Sequence, residues 1–326
     1  QAARDQVWAV GSSTVYPFTT RVAESYARKS GAKAPRVESL GTGGGIKLFC
    51  SGVGLGTPDI ANASRPMKRS EFDECRRNGV RDIVEIKIGY DGIVVAAPKD
   101  APAFDLRLDH LYFALAKEPL RFRQFGPNPY TTWRQVGRTL PNQRITVYGP
   151  PPTSGARDAF VELGLEAAAK RYPTMTALRE ADEDRFKRLA GTIREDGAWI
   201  DAGENDNAIV GTLTRTPGAL GVFGFAFLEQ NGDKVRGLTI DGVEPTVENV
   251  TSGRYPLSRS LYIYVKKAHV GVVPGLREFI AEYASDAATG RGGYLRQRGL
   301  IPLPADQHEA NKVKARDLPA MARPAA

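Results

Sequence analysis

Three short segments rich in glycine, serine and threonine have the residue types that bind anions. They are Gly11–Thr14, Gly41–Gly45 and Thr153–Arg157, and each runs into a stretch with helical character. The start of a helix presents unpaired backbone N–H groups and the positive end of the helix dipole, and small residues there let an anion approach closely. One such segment alone is better explained as a tight turn between a strand and a helix. Three in one chain favour a tetrahedral oxyanion that is held from several sides.

Two arginines strengthen this interpretation. Arg65 follows a predicted strand, and Arg157 lies in the first turn of the third predicted helix, where a positive charge opposes the helix dipole. A guanidinium group pairs well with two oxygens of a tetrahedral anion. The alternative for each arginine is a salt bridge to a nearby acid, or a solvated head group.

Asp91 is the acidic candidate for the same site. It stands just before the apolar run Ile93–Ala97, which is an unusual place for a carboxylate in a packed sheet. An ionised carboxylate only accepts hydrogen bonds, so beside an anion it favours one that still carries a proton and repels fully deprotonated sulfate. The alternative is a turn aspartate that bonds to its own backbone.

Other chemistries lack their motifs. In the second segment Lys47 is displaced from the Gly-Lys-Ser/Thr ending of a nucleotide-binding P-loop, and Ile46 stands where a dinucleotide fingerprint has its last glycine. None of Ser13, Ser64 and Ser154 lies in the Gly-x-Ser-x-Gly frame of an esterase. The three histidines are scattered along the chain, so we expect no metal site and no cofactor.

Length, charge and cysteine content restrict the class of protein. The 326 residues suit two domains, and no apolar run approaches the roughly 18 residues of a membrane span. The net charge of +8 is spread along the chain without a nucleic-acid motif, so we expect no nucleic acid partner. The chain begins with Gln1 and a short polar stretch, which predicts an exported protein without its signal peptide. In such a protein Cys50 and Cys75 are predicted to form a disulfide, with two buried thiols as the alternative.

The surrounding pattern predicts an α/β chain. Val7–Val10 is typical of a strand, and Phe18, Val22 and Tyr26 follow at helical spacing, so the first small-residue segment connects a strand to a helix. Arg36–Leu40 predicts a second strand, and the second small-residue segment follows it in the same way.

Local signals also predict individual elements further along. Ser70 with Asp73 three residues later resembles a capping box and predicts the start of a helix that carries Cys75. After the β-rich run Leu261–Val265, a helix is predicted with four apolar side chains on one face. The tail from Leu303 is rich in alanine and proline, which predicts a segment that wraps the surface or frays.

Two buried strands divide the chain into two predicted lobes. The chain changes character after Pro98, where prolines become frequent, and regains a strand pattern near residue 260. We therefore expect lobe I to comprise residues 1–97 and 263–326, with lobe II, residues 98–262, inserted between them.

In their order along the chain, these motifs resemble a known family. The matching segments read GSSTVYPF (11–18), GTGGGIK (41–47), NASRP (62–66), GYDGI (89–93) and TSGARDAF (153–160). Together they are similar to the periplasmic phosphate-binding proteins of phosphate ABC transporters. The resemblance spans nearly the whole chain, and the joint order is far more specific than any single segment.

The resemblance implies a fold, a ligand and a partner. It implies two α/β lobes of the type II periplasmic-binding-protein fold, joined by two hinge crossover strands and closing on inorganic phosphate. It also implies a monomer in the periplasm that delivers phosphate to a membrane permease without catalysis. By position, the implied phosphate-binding residues are Ser13, Thr14, Thr42, Gly43, Ser64, Arg65, Asp91, Ser154, Gly155 and Arg157.

This sequence departs from the family pattern at three places. Arg65 stands where some members have an aspartate, and Pro150–Pro152 replaces an arginine that some members have before the third segment. Ala156 stands where others have a hydroxyl. Arg157 and Asp91 would then supply the missing charge and the missing acceptor.

Two other functions remain open at this point. The same fold could bind sulfate, molybdate or a phosphonate, because these oxyanions share the tetrahedral shape. A phosphatase-like enzyme would need a nucleophile beside a base, or metal ligands, and the sparse histidines argue against both.

Overall fold

The strand, turn and helix predicted at the start of the chain are present. In the computed structural model, which describes residues 4–203 and 205–326, strand β1 (Trp8–Gly11) leads into helix α1 (Tyr16–Ser30). The predicted apolar face of α1 is buried, and Pro17 lies in its first turn, where a missing N–H costs nothing. Gln1, on which the export prediction rests, lies outside the described residues.

The remaining strands and helices alternate along most of the chain. The strands that follow β1 are β2 (Arg36–Ser39), β3 (Ile60–Ala63), β4 (Ile83–Pro98), β5 (Leu120–Arg121), β6 (Gln124–Phe125), β7 (Val147–Gly149), β8 (Trp199–Asp201), β9 (Leu220–Gly224), β10 (Val235–Gly237) and β11 (Ser258–Lys266). The helices that follow α1 are α2 (Thr42–Phe49), α3 (Arg69–Arg77), α4 (Leu108–Leu115), α5 (Trp133–Val136), α6 (Gly155–Phe160), α7 (Ala167–Ala169), α8 (Pro173–Ala181), α9 (Glu183–Gly191), α10 (Asp206–Arg215), α11 (Phe225–Gln230), α12 (Val247–Thr251), α13 (Leu276–Tyr283), α14 (Asp286–Thr289) and α15 (Ala305–Asp317). Within the described part of the chain, no helix is both long enough and apolar enough to cross a membrane.

The chain folds as two units. Among the described residues, unit 1 comprises residues 4–91 and Arg259–Ala326, and unit 2 comprises residues 92–203 and 205–258. The chain passes from one unit to the other within β4 and returns at the start of β11. The boundaries expected from the sequence, 97/98 and 262/263, lie in the same two strands, a few residues after these points.

Unit 1 is a sheet covered on both faces. Its strand order is β2-β1-β3-β11-β4, with β1 parallel to β2 and β3, and β11 antiparallel to β3. Side chains alternate along β11, so Ile263 and Val265 pack with α1 and α13, while Tyr264 packs with α2 and α3. The four apolar residues predicted on one face of α13 are all buried against the first of these layers.

Unit 2 is built on a second sheet. Strand β9 lies between β4 and β7 and pairs antiparallel with β4 and parallel with β7, and β8 continues the sheet beyond β7 in parallel. The run Ile93–Ala97 of β4 is buried, as its continuous apolar sequence predicts for a strand with neighbours on both sides, here β9 and β10. Helix α6 continues through a π-helical segment, Val161–Glu166, into α7.

The predicted disulfide is confirmed. Cys50 ends α2 and Cys75 lies in α3, and their sulfur atoms are bonded, so the bridge ties these two helices together. Both residues are fully buried. The two-thiol alternative is therefore wrong.

One local prediction was wrong, and one of the two alternatives for the tail is excluded. Helix α3 begins at Arg69, and the carboxylate of Glu71 accepts a hydrogen bond from the backbone N–H of Lys68, so Ser70 and Asp73 do not form the capping box. The tail does not fray after Leu303, because α15 forms there. Its buried side is partly polar and therefore shows no apolar periodicity in the sequence.

Candidate anion-binding site

One edge of the unit 1 sheet collects most of the predicted site residues. In the parallel register Gly11 lies beside Ser39 and Asn62, so β1, β2 and β3 end together. Loops that follow parallel strands at this edge are the usual place for a ligand in open α/β sheets. The segments that begin at Ser12, Thr42 and Ser64 follow these three strand ends.

The first loop is organised by Ser12. Its hydroxyl oxygen accepts hydrogen bonds from the backbone N–H groups of Thr14 (3.1 Å) and Val15 (3.3 Å), and its side chain is almost fully buried. Ser12 therefore satisfies N–H groups just before α1, and the neighbouring Ser13 is partly exposed. The hydroxyl oxygen of Thr14 accepts a hydrogen bond of 2.8 Å from the guanidinium group of Arg259.

The second loop is an open helix start. Helix α2 begins at Thr42, inside the glycine segment and earlier than predicted, and no side chain in the described chain caps it. Its first intrahelical bond runs from Gly45 N–H to Gly41 C=O, so the N–H groups of Thr42, Gly43 and Gly44 have no acceptor within the helix. Three convergent N–H groups at the positive end of a dipole are suited to an anion.

A pair of hydroxyl groups lies beside that helix start. The hydroxyls of Thr42 and Ser64 are 3.0 Å apart, and the hydroxyl of Thr42 also accepts a hydrogen bond of 3.1 Å from the backbone N–H of Ser64. Ser64 is buried and Thr42 is half-buried. Because each hydroxyl can donate one proton and one of them can donate to the other, this pair has a donor left for a ligand.

Close backbone packing explains two of the glycines. A Cβ atom on Gly45 would lie 2.3 Å from the Cα atom of Gly11, and one on Gly11 would lie 2.2 Å from the carbonyl oxygen of Asn62. Gly11 also has φ +136°, which side chains disfavour. These glycines therefore allow α2, β1 and β3 to approach closely, and they fix the start of α2 beside the strand ends.

Asn62 adds a buried donor at the same edge. Its side-chain oxygen accepts a hydrogen bond of 3.1 Å from Thr19, while its Nδ2 atom is buried without a hydrogen-bond partner in the described part of the chain. An unsatisfied buried amide is costly and calls for an explanation. Asn62 is not among the binding residues that the sequence predicts.

Arg65 is held by an acid. Its guanidinium group donates to both carboxylate oxygens of Glu71, at 2.8 and 3.0 Å, and lies 3.9 Å from the position of a Cβ atom on Gly43. Burial tends to raise the pKa of Glu71, but hydrogen bonds from Arg65 and from the backbone of Lys68 outweigh it and leave that pKa lowered. The pair is therefore ionised at neutral pH, and Arg65 remains beside the helix start.

Arg259 is the functional candidate that sequence reasoning missed. Its side chain is 10% exposed and lies 4.0 Å from the carboxylate of Asp91, whose side chain is 13% exposed. With its bond to Thr14, Arg259 links the start of α1 to the predicted acidic residue. A signal was available, because Arg259 stands just before the buried run Leu261–Val265, as Asp91 stands before its own apolar run.

In unit 2 the third segment also follows a strand end. Ser154 caps α6, since its hydroxyl oxygen accepts a hydrogen bond from the N–H of Ala156 at 3.2 Å. Arg157 donates to the carboxylate of Asp201 at 3.0 Å and to the carbonyl oxygen of Pro150, and its guanidinium lies 5.1 Å from the ring centre of Trp199. Since Asp201 ends β8, this pair marks the carboxyl edge of the second sheet.

Comparison with known proteins identifies the class. A family model described as a PBP superfamily domain matches residues 1–287. The two α/β units, each with small-residue loops at the ends of its strands, have the two-lobe periplasmic-binding fold that the sequence predicts. The chain belongs to the PBP superfamily.

Individual relatives cover nearly the whole chain. Protein SphX of Synechococcus elongatus is 32% identical over 320 residues, which cover 95% of this chain and 81% of SphX. Phosphate-binding protein PstS of Staphylococcus saprophyticus is 27% identical over 313 residues, which cover 94% of this chain and 83% of PstS. The crystal structure of a possible phosphate binding protein from Planctomyces limnophilus matches with a TM-score of 0.77 and 27% identity, over 97% of this chain and 99% of that one.

Proposed function

We propose that this protein binds inorganic phosphate in the periplasm, as a monomer, and delivers it to the permease of a phosphate ABC transporter without transforming it. The observation that carries this proposal is the edge of unit 1. There the open start of α2 and the Thr42–Ser64 hydroxyl pair provide donors, and Arg259 lies beside Asp91. Phosphate as the ligand is supported by the names of two similar proteins, PstS of Staphylococcus saprophyticus and the possible phosphate binding protein from Planctomyces limnophilus.

The donors at this edge suit the charge of phosphate. N–H groups of α2, hydroxyl groups and the guanidinium of Arg259 all donate hydrogen bonds to an anion, and the half-buried setting strengthens each of them. Asp91 accepts only, so it can bind the proton of HPO₄²⁻ or H₂PO₄⁻ and repels sulfate, which has none.

Unit 2 contributes its own donors in this proposal. Ser154 and Gly155 supply the start of α6, and Arg157 supplies a guanidinium that is already oriented by Asp201 and Trp199. A ligand held by residues of both units favours the arrangement in which it contacts all of them. Hinged closure of the two lobes on one phosphate follows from this argument and stays a prediction.

Isothermal titration of phosphate-stripped protein tests the unit 1 site. We expect tight one-to-one binding of phosphate and no binding of sulfate. Arg259→Gln removes a charged donor and should weaken phosphate binding about 10- to 100-fold. Asp91→Asn should weaken phosphate binding and relax the rejection of sulfate, because the amide can donate to an unprotonated oxygen.

The chain offers a matched control in the same unit. Asp73 and Arg323 form an ion pair on the surface, at 2.8 Å. Asp73→Asn and Arg323→Gln change the same charges and should leave both titrations unaltered. Absence of phosphate binding would refute the proposal, and binding of sulfate instead would assign the site to another oxyanion.

Arg157 is tested separately. Arg157→Gln should weaken phosphate binding, whereas Arg171→Gln, which breaks a surface ion pair with Asp241 in the same unit, should not. Phosphate affinity that is unchanged in Arg157→Gln would restrict the site to unit 1.

A further inference from the structure

The hairpin β5–β6 of unit 2 has an unusual tip. Leu120 pairs with Phe125 and Arg121 with Gln124, so Phe122 and Arg123 are the two central residues of a two-residue turn. Both have a positive φ, 47° for Phe122 and 72° for Arg123, as a type I′ turn requires. Asn-Gly is the preferred pair at these positions, and a bulky aromatic residue with positive φ is a genuine outlier. Phe122 and Arg123 are therefore two residues that disfavour the turn in which they lie.

The aromatic side chain at this tip has no packing role. Phe122 is 95% exposed, the highest exposure among the exposed large apolar residues of the described chain. Its neighbours Arg121 and Arg123 are exposed as well. Strain that is retained without any gain in packing is expected at functional sites, so the tip is a candidate contact surface.

The charges around the tip define the chemistry of what it contacts. Within Lys117–Phe125 three cationic side chains stand against one carboxylate, Glu118. Arginine on both sides of an exposed aromatic side chain suits a surface with phosphate groups above an apolar layer, because guanidinium pairs with phosphate and the ring enters the layer below. The guanidinium of Arg121 lies 5.8 Å from the ring centre of Tyr130, which helps to orient it.

We infer that this tip binds peripherally to an anionic lipid bilayer, with Phe122 inserted between head groups and Arg121 and Arg123 on lipid phosphates. A protein partner is less favoured by the same observations. An interface between proteins needs an apolar centre of several residues with a surrounding rim, whereas this tip offers one protruding ring. Contact with lipid goes beyond phosphate binding and does not depend on it.

Vesicle binding tests the inference with the whole 326-residue chain. The probes are large unilamellar vesicles of phosphatidylcholine alone and of phosphatidylcholine with an equal amount of phosphatidylglycerol. Co-sedimentation should show binding to the anionic vesicles, little binding to the neutral ones, and loss of binding as salt is raised. Each arginine removed should lower partitioning about fivefold.

The turn itself supplies a variant that should fold well. Phe122→Asn with Arg123→Gly installs the pair that a type I′ turn prefers, so it should keep or raise the melting temperature while it abolishes vesicle binding. The control for the single charge removed is Arg76→Gln on α3, and the control for the polarity change is Val272→Asn at another exposed apolar residue. These controls should bind vesicles as the wild type does.

Two results would overturn the inference. If the wild type does not bind anionic vesicles, or if the turn variant binds them equally well, the tip is not a lipid contact. If vesicles are not bound but the turn variant reduces phosphate uptake by cells while its phosphate affinity in solution is unchanged, the tip contacts a protein. Phosphate titration of the same variants separates each of these outcomes from a failure of the proposed function.

Discussion

Gly45 gives the sharpest test of how the candidate site is built. A Cβ atom at this position would lie 2.3 Å from the Cα and 2.8 Å from the N of Gly11, which are backbone atoms and cannot rotate away. At the adjacent Gly44 the nearest atom is the Cβ of Leu40, at 3.7 Å, an ordinary contact. Alanine at either position gains helix propensity of about 1 kcal/mol. The difference between the two variants therefore isolates the cost of the clash.

That cost is about 1–3 kcal/mol, the usual range for overpacking. For a domain of this size 1 kcal/mol corresponds to about 3 °C in melting temperature. We therefore expect Gly45→Ala to melt about 3–9 °C below Gly44→Ala in a circular dichroism melt. Because relief of the clash moves the start of α2 away from β1, Gly45→Ala should also lose phosphate affinity in the titration. A Gly45→Ala protein that melts at or above Gly44→Ala would refute the close packing of α2 on β1.

Two further predictions concern stability. Burial lowers the pKa of Lys266 to about 7, whereas the pKa of an unperturbed lysine is 10.5. Between these two values the unfolded state binds more protons than the folded state. The free energy of unfolding should therefore rise with pH across this range. The melting temperature of Lys266→Met should not show this rise with pH, whereas that of Lys29→Met, at an exposed lysine, should rise as in the wild type. If the melting temperatures of the wild type and both variants rise equally with pH, the burial of Lys266 is not the cause. Reduction of the Cys50–Cys75 disulfide, whose residues are 25 positions apart, should lower the free energy of unfolding by about 3 kcal/mol, as measured in urea with and without reductant. The Cys50→Ser, Cys75→Ser protein should not respond to reductant, and an equal response would show that the reductant acts elsewhere.

The sequence alone determined the elements whose signal is local. Phe18, Val22 and Tyr26 predicted the buried face of α1, and the run Ile93–Ala97 predicted a strand buried in a sheet. Such patterns succeed because side-chain period and burial are linked within a few residues. The order of the small-residue segments also indicated the family, and the comparisons bear this out.

Local signals failed where a better partner lay outside the expected motif. The helix predicted to start from Ser70 is capped instead by Glu71, because a glutamate at the third helical position reaches the backbone N–H before the helix. The tail formed α15 although its sequence is not amphipathic, because unit 1 buries His308 and Asn311, two polar residues that no apolar pattern reveals. A local carboxylate decided the first case, and packing decided the second.

For the candidate site, the sequence predicts the positions of residues but not their ion-pair partners. The chain order alone places Ser64 after a predicted strand, Thr42 within a glycine segment that leads into a helix, and Asp91 before a buried apolar run. The partners of the charged residues at the site became visible only in the folded chain. It bound Arg65 to Glu71, and it brought Arg259 from a distant part of the chain to Asp91. An ion pair forms between side chains that meet in space. Arg259 and Asp91 are 168 positions apart, so no local sequence pattern reveals that they are paired.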